Sequence, residues 1–474
     1  MADQQPDAVI IGSGPNGLAA AIVLAQAGRA VLVLEGAQTI GGGARTAELT
    51  LPGFHHDVCS AIHPMAISSP FLRSLPLEAH GLQWIHPEAP LAHPLDDAPA
   101  AMLYRDLDAT SATLGVDGPA YRRWMQDWVH QWEALSTDAL APLGLPSHPF
   151  LMAGFGMAAM RKATAVARRF KAAPAQALFG GLAAHSVLPL DMVPSAAIGI
   201  MLGVAGHAAG WPMPKGGAQA LSDALAAHLR SLGGTIETGV QVSRLEDIPT
   251  DGPVLFETAP AHLADIAGPH LPEGFSKKLR GFQHGPGICK LDYALSGPIP
   301  WKDPAVSKAG TVHVGGTLEE MARSERMAWD GTHCEQPFVL VAQQSLFDPT
   351  RAPPGQHTLW AYCHVPSGSD RDVSATVEAQ IARFAPGFQD LILHRHVSTA
   401  ADTARYNPNY IGGDVNGGAP TLGQLFTRPT ARLSPYTTPN PRIFLCSAST
   451  PPGGGIHGMC GWHAAQAVLK RWPA

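Results

Sequence analysis

The sequence predicts an α/β fold in which a parallel sheet carries one domain and a second domain is assembled from separate segments. Two sequence patterns and the chain length lead to this prediction. Near the N-terminus an apolar run, a glycine turn, a helix-forming stretch and another apolar run follow one another, and near the C-terminus an apolar run again leads into a glycine loop and a helix. The chain has 474 residues, too many for one simple core, so two closely packed domains are expected.

The N-terminal pattern begins with the apolar residues 8–11 (AVII), which lead directly into the turn 12–17 (GSGPNG). A helix-forming stretch runs to Gly28, and the next apolar run, residues 30–34 (AVLVL), ends at Glu35. Together they form one βαβ unit of about 30 residues, the length that a dinucleotide-binding unit requires, and Glu35 stands where an acid accepts hydrogen bonds from a ribose. The sequence therefore predicts a Rossmann-like domain.

The residue types in the turn suit a bound diphosphate. Gly12 permits the tight turn, Gly14 lets the backbone approach the phosphates, and Gly17 lets helix and strand pack closely. Pro15 and Asn16 open the helix, whose unpaired N–H groups and positive dipole end stabilise an anion. We therefore expect these five residues, together with the acid that closes the unit, to bind a dinucleotide.

Another glycine-rich loop follows this acid, where residues 41–46 read GGGART. A GGxxRT element at this place resembles the phytoene desaturase-like branch of the flavin amine oxidase superfamily. The resemblance implies FAD as the cofactor, with charge-assisted hydrogen bonds from an arginine to phosphate oxygens. The residues that it implies along the diphosphate and ribityl chain are Gly42, Gly43, Arg45 and Thr46.

Further segments carry the same resemblance. Residues 51–57 (LPGFHHD) resemble the segment that leads toward the flavin, and residues 214–217 (PKGG) precede an amphipathic helix with a leucine at every fourth position. A strand is expected over residues 235–242, in which Val242 matches the family position whose backbone meets the adenine. Only a short segment separates Val242 from the next predicted strand, residues 254–256, so an insert common in relatives is shortened.

The C-terminal pattern consists of a buried strand over residues 442–447 (RIFLCS), the loop 451–461 (PPGGGIHGMCG) and a helix over residues 463–471. The resemblance implies that this loop lies against the isoalloxazine and ribityl chain, where backbone N–H groups stabilise negative charge on reduced flavin. The cofactor-binding residues that it implies here are Gly454, Gly455, His457, Gly458 and Met459.

These motifs divide the chain into two domains. Residues 1–75, 214–265 and 430–474 are expected to form a discontinuous FAD-binding domain, and residues 76–213 and 266–429 a substrate-binding domain. No other strand, GxGxxG turn and helix occurs in the sequence, so a separate NAD(P)H-binding domain is not expected. Electrons are then expected to leave toward oxygen, a quinone or another acceptor.

The substrate domain should be rich in apolar helices. In the helix expected over residues 120–135, Trp124, Trp128 and Trp132 form one stripe, which favours core packing. Residues 193–211 are apolar, but their glycines and a histidine favour a buried helix over a membrane span.

The composition favours a lipophilic small-molecule substrate. Hydrophobic residues make up 45% and charged residues 15% of the chain, against a typical charged share of about 25%. The net charge of −6 disfavours nucleic acid, whose binding needs clustered cations.

Residues 161–171 (RKATAVARRFK) hold five bases and no acid, so peripheral membrane contact is an alternative to a solvated helix face.

Cysteine usage and the N-terminus favour a cytoplasmic location. The six cysteines include no CxxC pair, which argues against a zinc ribbon or a dithiol centre. Residues 1–7 lack the basic-then-apolar order of a signal peptide.

No HExxH or paired-histidine pattern occurs, and the loop around Asp414 is typical of a glycine-rich turn, so no metal site is expected.

The leading functional hypothesis is an FAD-dependent oxidoreductase that desaturates or dehydrogenates an isoprenoid or polyene-like molecule by hydride transfer to the flavin. His457 and, second, His63 are the candidate catalytic residues. Three alternatives stay open: a flavin-dependent cis–trans isomerase without net redox, an NAD-dependent dehydrogenase, and a lipid carrier of the same fold that is not an enzyme. The sequence names neither the substrate nor the oligomeric state.

Overall fold

The computed structural model of the chain describes residues 5–473. Residues 1–4, which open the segment without a signal-peptide pattern, and residue 474 lie outside the described residues. The strands, in chain order, are β1 (Ala8–Ile11), β2 (Val31–Glu35), β3 (Thr46–Glu48), β4 (His55–Asp57), β5 (Trp84–Ile85), β6 (Ala89–His93), β7 (Ala101–Leu103), β8 (Met213–Pro214), β9 (Thr235–Thr238), β10 (Val254–Phe256), β11 (Gly287–Leu295), β12 (Ala309–Val314), β13 (Val339–Ala342), β14 (His357–Val365), β15 (Ile392–Ser398) and β16 (Ile443–Leu445).

The α-helices pack over the faces of the two larger sheets. In chain order they are α1 (Pro15–Gln26), α2 (Pro64–Ser68), α3 (Pro70–Arg73), α4 (Leu107–Thr113), α5 (Gly118–His130), α6 (Trp132–Ala139), α7 (Pro149–Ala159), α8 (Ala163–Ala167), α9 (Ala173–Ala184), α10 (Ala196–Ala208), α11 (Gln219–Ser231), α12 (Pro260–Ile266), α13 (Glu273–Arg280), α14 (Leu318–Trp329), α15 (Ser374–Phe384), α16 (Ala400–Tyr406), α17 (Leu422–Phe426) and α18 (Met459–Arg471).

A five-stranded parallel sheet with the order β16-β10-β1-β2-β9 forms the nucleotide-binding side of the molecule. Four of its five strands are short, buried apolar runs because helices cover both faces, whereas the edge strand β9 is polar and largely exposed. Ile10 and Val33 pack with α1, α11 and α18 on one face, whereas Val9 and Leu34 pack with α12 and α13 on the other. The predicted α/β fold, with a sheet drawn from the N-terminal, middle and C-terminal segments, is confirmed.

A seven-stranded sheet with the order β15-β11-β14-β13-β12-β6-β7 organises the rest of the chain. Neighbouring strands are antiparallel except for β12 and β6, which are parallel. Helices α5 to α10 pack over one face in a large apolar cluster that includes Trp132, Phe179 and Trp360. The opposite face packs against α15.

The sheet packing extends past the predicted domain boundaries. Leu271 and Leu279 share the core cluster of Val9, and Leu77 and Leu82 share the cluster of the opposite face. Residues just beyond positions 75 and 265 therefore pack with the nucleotide-binding side rather than with the seven-stranded sheet. The division into domains stays a prediction.

Four predicted elements have other bounds than expected, one of them the strand expected over residues 442–447, which spans Ile443–Leu445. The strand expected over residues 235–242 ends at Thr238, because the next residue, Gly239, has φ +74°. The helix expected over residues 120–135 is broken at Gln131, whose φ of −102° and ψ of 17° separate α5 from α6. The last helix begins at Met459, four residues earlier than predicted, directly after the left-handed Gly458.

The apolar segment 193–211 contains α10, which is buried along nearly its whole length. Its glycines pack closely on neighbours; a Cβ at Gly199 would lie 3.0 Å from Ala183 Cβ. Trp124 and Trp128 are half-buried against the same cluster that encloses Trp132, in agreement with core packing. Within residues 5–473 no helix is both long and apolar enough to cross a bilayer.

Candidate functional site

A groove with a cavity volume of about 580 Å³ runs along the carboxyl edge of the parallel sheet, where α/β folds bind their ligands. It is lined by the turn after β1, the end of β2, the segment after β9, the end of β10, residues 406–417 and the loops that follow β16. Most of the predicted cofactor-binding residues lie on its wall, namely Gly12, Gly14, Pro15, Asn16, Glu35, Gly42, Gly43, Arg45, Val242, Gly454 and Gly455.

The glycine turn forms its floor and leaves no room for side chains. Gly12 has φ +103°, a conformation that favours glycine. A Cβ added at Gly17, which does not line the groove, would lie 2.2 Å from the carbonyl oxygen of Gly12. Gly42 has φ +54°, and a Cβ there would lie 3.1 Å from Gly14 Cα. Two glycine loops thus approach each other closely and form a narrow cradle for a chain of phosphates.

Glu35 holds the turn in place. Its Oε2 accepts hydrogen bonds from the backbone N–H of Ser13 at 2.9 Å and from the Ser13 hydroxyl at 2.6 Å. Its Oε1 accepts from the backbone N–H of Ala37 at 2.9 Å and lies 3.4 Å from Arg45 Nη2. The carboxylate lies on the groove wall, so it both links β1 to β2 and presents acceptors to a ribose.

Arg45 and Thr46 have separate roles. The Arg45 guanidinium lies on the groove wall and donates to the carbonyl oxygens of Ile40 at 3.1 Å and Thr39 at 2.6 Å, which fixes its position. Thr46 does not line the groove: its hydroxyl donates to Asp57 Oδ1 at 2.9 Å and accepts from the backbone N–H of Gln219 at 3.1 Å. Thr46 is therefore placed to support the loop and not to contact a cofactor in the groove.

Only the first part of the C-terminal glycine loop faces the groove. Gly454 and Gly455 line it, whereas His457, Gly458 and Met459 do not. His457 is buried, and its Nδ1 accepts a hydrogen bond from the backbone N–H of Met459 at 3.0 Å. A Cβ at Gly458 would lie 3.2 Å from Ala19 Cβ, so this residue joins α18 to α1.

His63 lies one residue removed from the groove. Its Nε2 is 3.2 Å from the Ser60 hydroxyl, and that hydroxyl donates to the carbonyl oxygen of Gly43 at 2.9 Å. Burial lowers the pKa of His63 and of His457 to about 4, so both imidazoles are neutral at pH 7. Neither carries a positive charge near the groove.

Glu257 is a groove residue that the sequence analysis missed. It follows β10, and its Oε1 accepts a hydrogen bond from the backbone N–H of Asn16 at 3.0 Å. No side chain of α1 itself caps the N-terminus of that helix. The position of Glu257 immediately after a strand that pairs with β1 was a usable signal, because the carboxyl ends of parallel strands meet at one edge.

Residues 406–410 are another wall that the motifs did not reveal. The Tyr406 hydroxyl accepts from Arg45 Nη1 at 3.1 Å, and a Cβ at Gly43 would lie 2.4 Å from the Tyr410 hydroxyl. Asn409 Oδ1 accepts from the backbone N–H of Ala259 at 2.8 Å. This segment closes the groove from the side of the seven-stranded sheet.

The Asp414 loop is a structural turn. Asp414 is buried, and its Oδ2 accepts from the backbone N–H groups of Gly285 at 3.1 Å and Gly418 at 2.9 Å, while Oδ1 accepts from Asn416. Within the described chain no group of three or more His, Cys, Asp or Glu side chains has the arrangement of a metal site.

The residues present suit FAD. The cradle of Gly12, Gly14 and Gly42 meets the need of a diphosphate for close backbone approach. Two buried polar atoms in this part of the groove, Asn16 Oδ1 and Glu257 Oε2, have no hydrogen-bond partner within the described residues. Such atoms are expected where a polar ligand completes a site. Glu35, Arg45 and Val242 would border the ribose, phosphates and adenine.

Comparison with known proteins agrees with this geometry. Residues 10–75 match the family model of the NAD(P)-binding Rossmann-like domain. Pyridine nucleotide-disulfide oxidoreductase domain-containing protein 2 of Mus musculus is 25% identical over 546 aligned positions, which cover 98% of this chain and 93% of that protein. Phytoene dehydrogenase of Streptomyces griseus is 27% identical over 412 positions, which cover 76% of this chain and 73% of that protein.

Solved structures share the whole fold. An oxidoreductase from Methanosarcina mazei superposes with a TM-score of 0.65 at 17% identity, covering 98% of this chain and 99% of that one. Putrescine oxidase bound to putrescine superposes with a TM-score of 0.61 at 17% identity and the same coverage. At these identities the two structures establish the common fold.

The glycine turns of the groove and the oxidoreductase and dehydrogenase relatives indicate an FAD-dependent oxidoreductase, and the chain shares its fold with solved amine oxidases. The chain is homologous to pyridine nucleotide-disulfide oxidoreductase domain-containing protein 2 and to phytoene dehydrogenase. The predictions of the resemblance, of the enzyme class and of FAD as the cofactor are confirmed. The roles assigned to individual site residues stay predictions.

Proposed function

We propose that the chain desaturates or dehydrogenates a lipophilic, isoprenoid or polyene-like small molecule. The observation that carries this proposal is the apolar and aromatic wall of Met65, Trp360 and Tyr362 that packs behind the glycine-rich end of the groove. When bound, FAD accepts a hydride from a substrate C–H bond. The protein must then align that bond with the cofactor and keep water away, and such a wall suits both tasks.

The wall begins at the groove glycines. A Cβ at Gly455 would lie 3.7 Å from Met65 Cγ, and a Cβ at Gly43 would lie 4.0 Å from Cys59 Sγ. The Cys59 carbonyl accepts from Trp360 Nε1 at 3.1 Å, and Trp360 packs edge-on to Tyr362 with ring centroids 5.0 Å apart. Met65, Trp360 and Tyr362 continue into the largest apolar cluster. We propose that an apolar substrate approaches the cofactor along these side chains.

Charge near this wall is internally neutralised. Lys290 Nζ lies 5.9 Å from the centre of the Trp360 ring and forms a buried ion pair with Asp292. His63 Nδ1 and His457 Nε2 have no hydrogen-bond partner within the described residues. Because both imidazoles are neutral, we assign them to hydrogen bonding or to brief proton holding near the reacting atoms, and not to fixed charge.

The electron acceptor is proposed to be oxygen or a quinone. This proposal is supported by the single GxGxxG unit in the sequence. Rapid reduction of the bound flavin by NADH or NADPH alone would contradict it.

A membrane-facing surface is proposed as the route of substrate delivery. The apolar helix α7 exposes Phe150 at 93% and Met157 at 70% of their surface, and the preceding loop exposes Leu145 fully. Lys162 and Arg169 follow it and are exposed, with no ion pair found for either within the described residues. Large exposed apolar side chains beside unpaired bases suit an anionic lipid interface. We name this surface, residues 143–171, the α7 surface.

The test is anaerobic addition of candidate substrates to the flavin-loaded protein. Polyenes and terpenoids are expected to bleach the absorption band at about 450 nm and to yield a product that lacks two hydrogens. A diamine of similar length serves as the polar comparison and is expected to leave the band unchanged. Bleaching by the diamine alone contradicts the proposal, and an isomerised product without bleaching favours the isomerase.

A further inference from the structure

Glu257 places a carboxyl group on the N–H groups that a diphosphate needs. Its Oε1 accepts the 3.0 Å hydrogen bond from the backbone N–H of Asn16, and Gly14 and Gly17 lie beside the same carboxyl group. A Cβ at Gly14 would lie 2.6 Å from Glu257 Oε1, and one at Gly17 would lie 2.5 Å from Glu257 Oε2. The side chain therefore lies directly over the positive end of α1, the feature that makes such a turn an anion site.

The charge state of this carboxyl group follows from its surroundings. Burial raises the pKa of Glu257 to about 8, the backbone N–H groups at the start of α1 oppose that rise, and the nearby Glu35 adds to it. The other titratable groups that face it are thiols: burial raises the pKa of Cys460 to about 11 and that of Cys446 well above its ordinary value. Arg45 lies on the same groove wall and is hydrogen-bonded elsewhere. At neutral pH Glu257 therefore carries a proton.

A bound diphosphate makes ionisation of this group still harder. The diphosphate of FAD is negatively charged throughout the neutral and alkaline range, and a like charge beside a carboxyl group raises its pKa. A protonated carboxyl group, in contrast, has an O–H that donates to a phosphate oxygen. Glu257 Oε2, which has no partner within the described residues, is the atom that can do so.

We propose that Glu257 binds the FAD diphosphate in its protonated form, so that cofactor binding takes up one proton in alkaline solution. Below the pKa of the free protein the proton is already present, and affinity does not depend on pH. Above it, each binding event must draw a proton from solution, so affinity falls as pH rises. The inference rests on FAD binding at the site of the proposed function but requires no substrate.

The experiment measures the dissociation constant of FAD for the full chain, by fluorescence of the released cofactor, from about pH 6.5 to about pH 9.5. In the wild-type protein we expect the constant to be flat at the acid end and to rise about tenfold per pH unit above the pKa. In Glu257→Gln, whose neutral amide also donates, it should change by less than about twofold over the range. The matched control Glu273→Gln removes an exposed carboxylate on α13 and should keep the wild-type slope.

Calorimetry of FAD binding to the wild-type protein in buffers of different ionisation enthalpy supplies an independent readout. About one proton should be taken up per FAD near pH 9 and almost none near pH 6.5. A flat wild-type affinity, an unchanged slope in Glu257→Gln, or no proton uptake would each overturn the proposal. None of these results depends on which molecule the enzyme oxidises, so failure of the lipophilic-substrate proposal remains distinguishable.

Discussion

Glu257 Oε1 lies 3.0 Å from the backbone nitrogen of Asn16, so a carboxyl group from one parallel strand caps the helix that follows its neighbour. The two residues are 241 positions apart in the chain. The pairing of β1 with β10 brings them together. This contact joins the fold of the sheet to the chemistry of the cofactor groove.

Glu257 should make the FAD-free protein less stable as pH rises. The pKa of this group is raised from 4.5 to about 8 by folding, so between these values the folded state holds a proton that the unfolded state has lost. The contribution of Glu257 to the free energy of unfolding is therefore fully present below about pH 4.5 and declines as the pH rises toward 8. Urea unfolding midpoints of the full chain should fall less with pH in Glu257→Gln than in the wild type. Identical pH profiles of the two proteins would be inconsistent with a buried protonated acid.

Gly17→Ala should abolish FAD binding. Its Cβ would lie 2.2 Å from the Gly12 carbonyl oxygen, a backbone atom that cannot yield without moving the turn, and overpacking of this kind costs roughly 1–3 kcal/mol. The control is Gly156→Ala in α7, where a Cβ meets nothing within 4 Å and helix propensity predicts a gain of up to about 1 kcal/mol. Flavin content and thermal unfolding of both variants check this. Normal flavin content in Gly17→Ala would show that the turn does not hold the cofactor.

Removing one partner of the buried ion pair of Asp57 and Arg351 should destabilise the protein strongly, and replacing both should destabilise it less. Asp57 Oδ2 lies 2.8 Å from Arg351 Nη2, and both side chains are fully buried. Replacing Arg351 by Met leaves a buried carboxylate without its partner, a change that typically costs about 3–5 kcal/mol. The double variant Asp57→Asn with Arg351→Met should recover part of that loss. A double-mutant cycle of denaturant unfolding measures it, and purely additive losses would show that the two side chains are uncoupled.

The α7 surface should bind anionic vesicles. Phe150→Ser with Met157→Ser removes two exposed apolar side chains and should reduce co-flotation with vesicles rich in anionic lipid by several-fold. Lys162→Glu with Arg169→Glu should do the same at low salt, because charge attraction is screened by salt. Leu433→Ser, an equally exposed apolar site outside this surface, serves as the control. Equal flotation of all variants, or none by the wild type, would count against membrane contact.

The parts of the fold that depend on local pattern could be predicted from the sequence. The unit from residue 8 to Glu35 appears as β1, α1 and β2, because its apolar runs and glycines act within one short segment. The break at Gln131 and the end of β9 at Thr238 could not be placed, since both depend on single backbone conformations.

Part of the groove could also be predicted from the sequence, because its glycine motifs are local patterns. Residues of the glycine motifs lie on its wall, whereas Glu257 and Tyr410 reach it through long-range packing that no motif encodes. His457 was expected at the flavin by its place in a glycine loop. Its side chain does not line the groove, but a Cβ at the groove residue Gly455 would lie 3.7 Å from His457 Cδ2, and its role stays a prediction.

The most direct test of the account is the absorption spectrum of the purified protein, before and after denaturation and filtration. We expect bands at about 370 and 450 nm that pass into the filtrate as free FAD. A colourless protein that also fails to take up added FAD would contradict the assignment of the groove and every flavin-dependent function proposed for it.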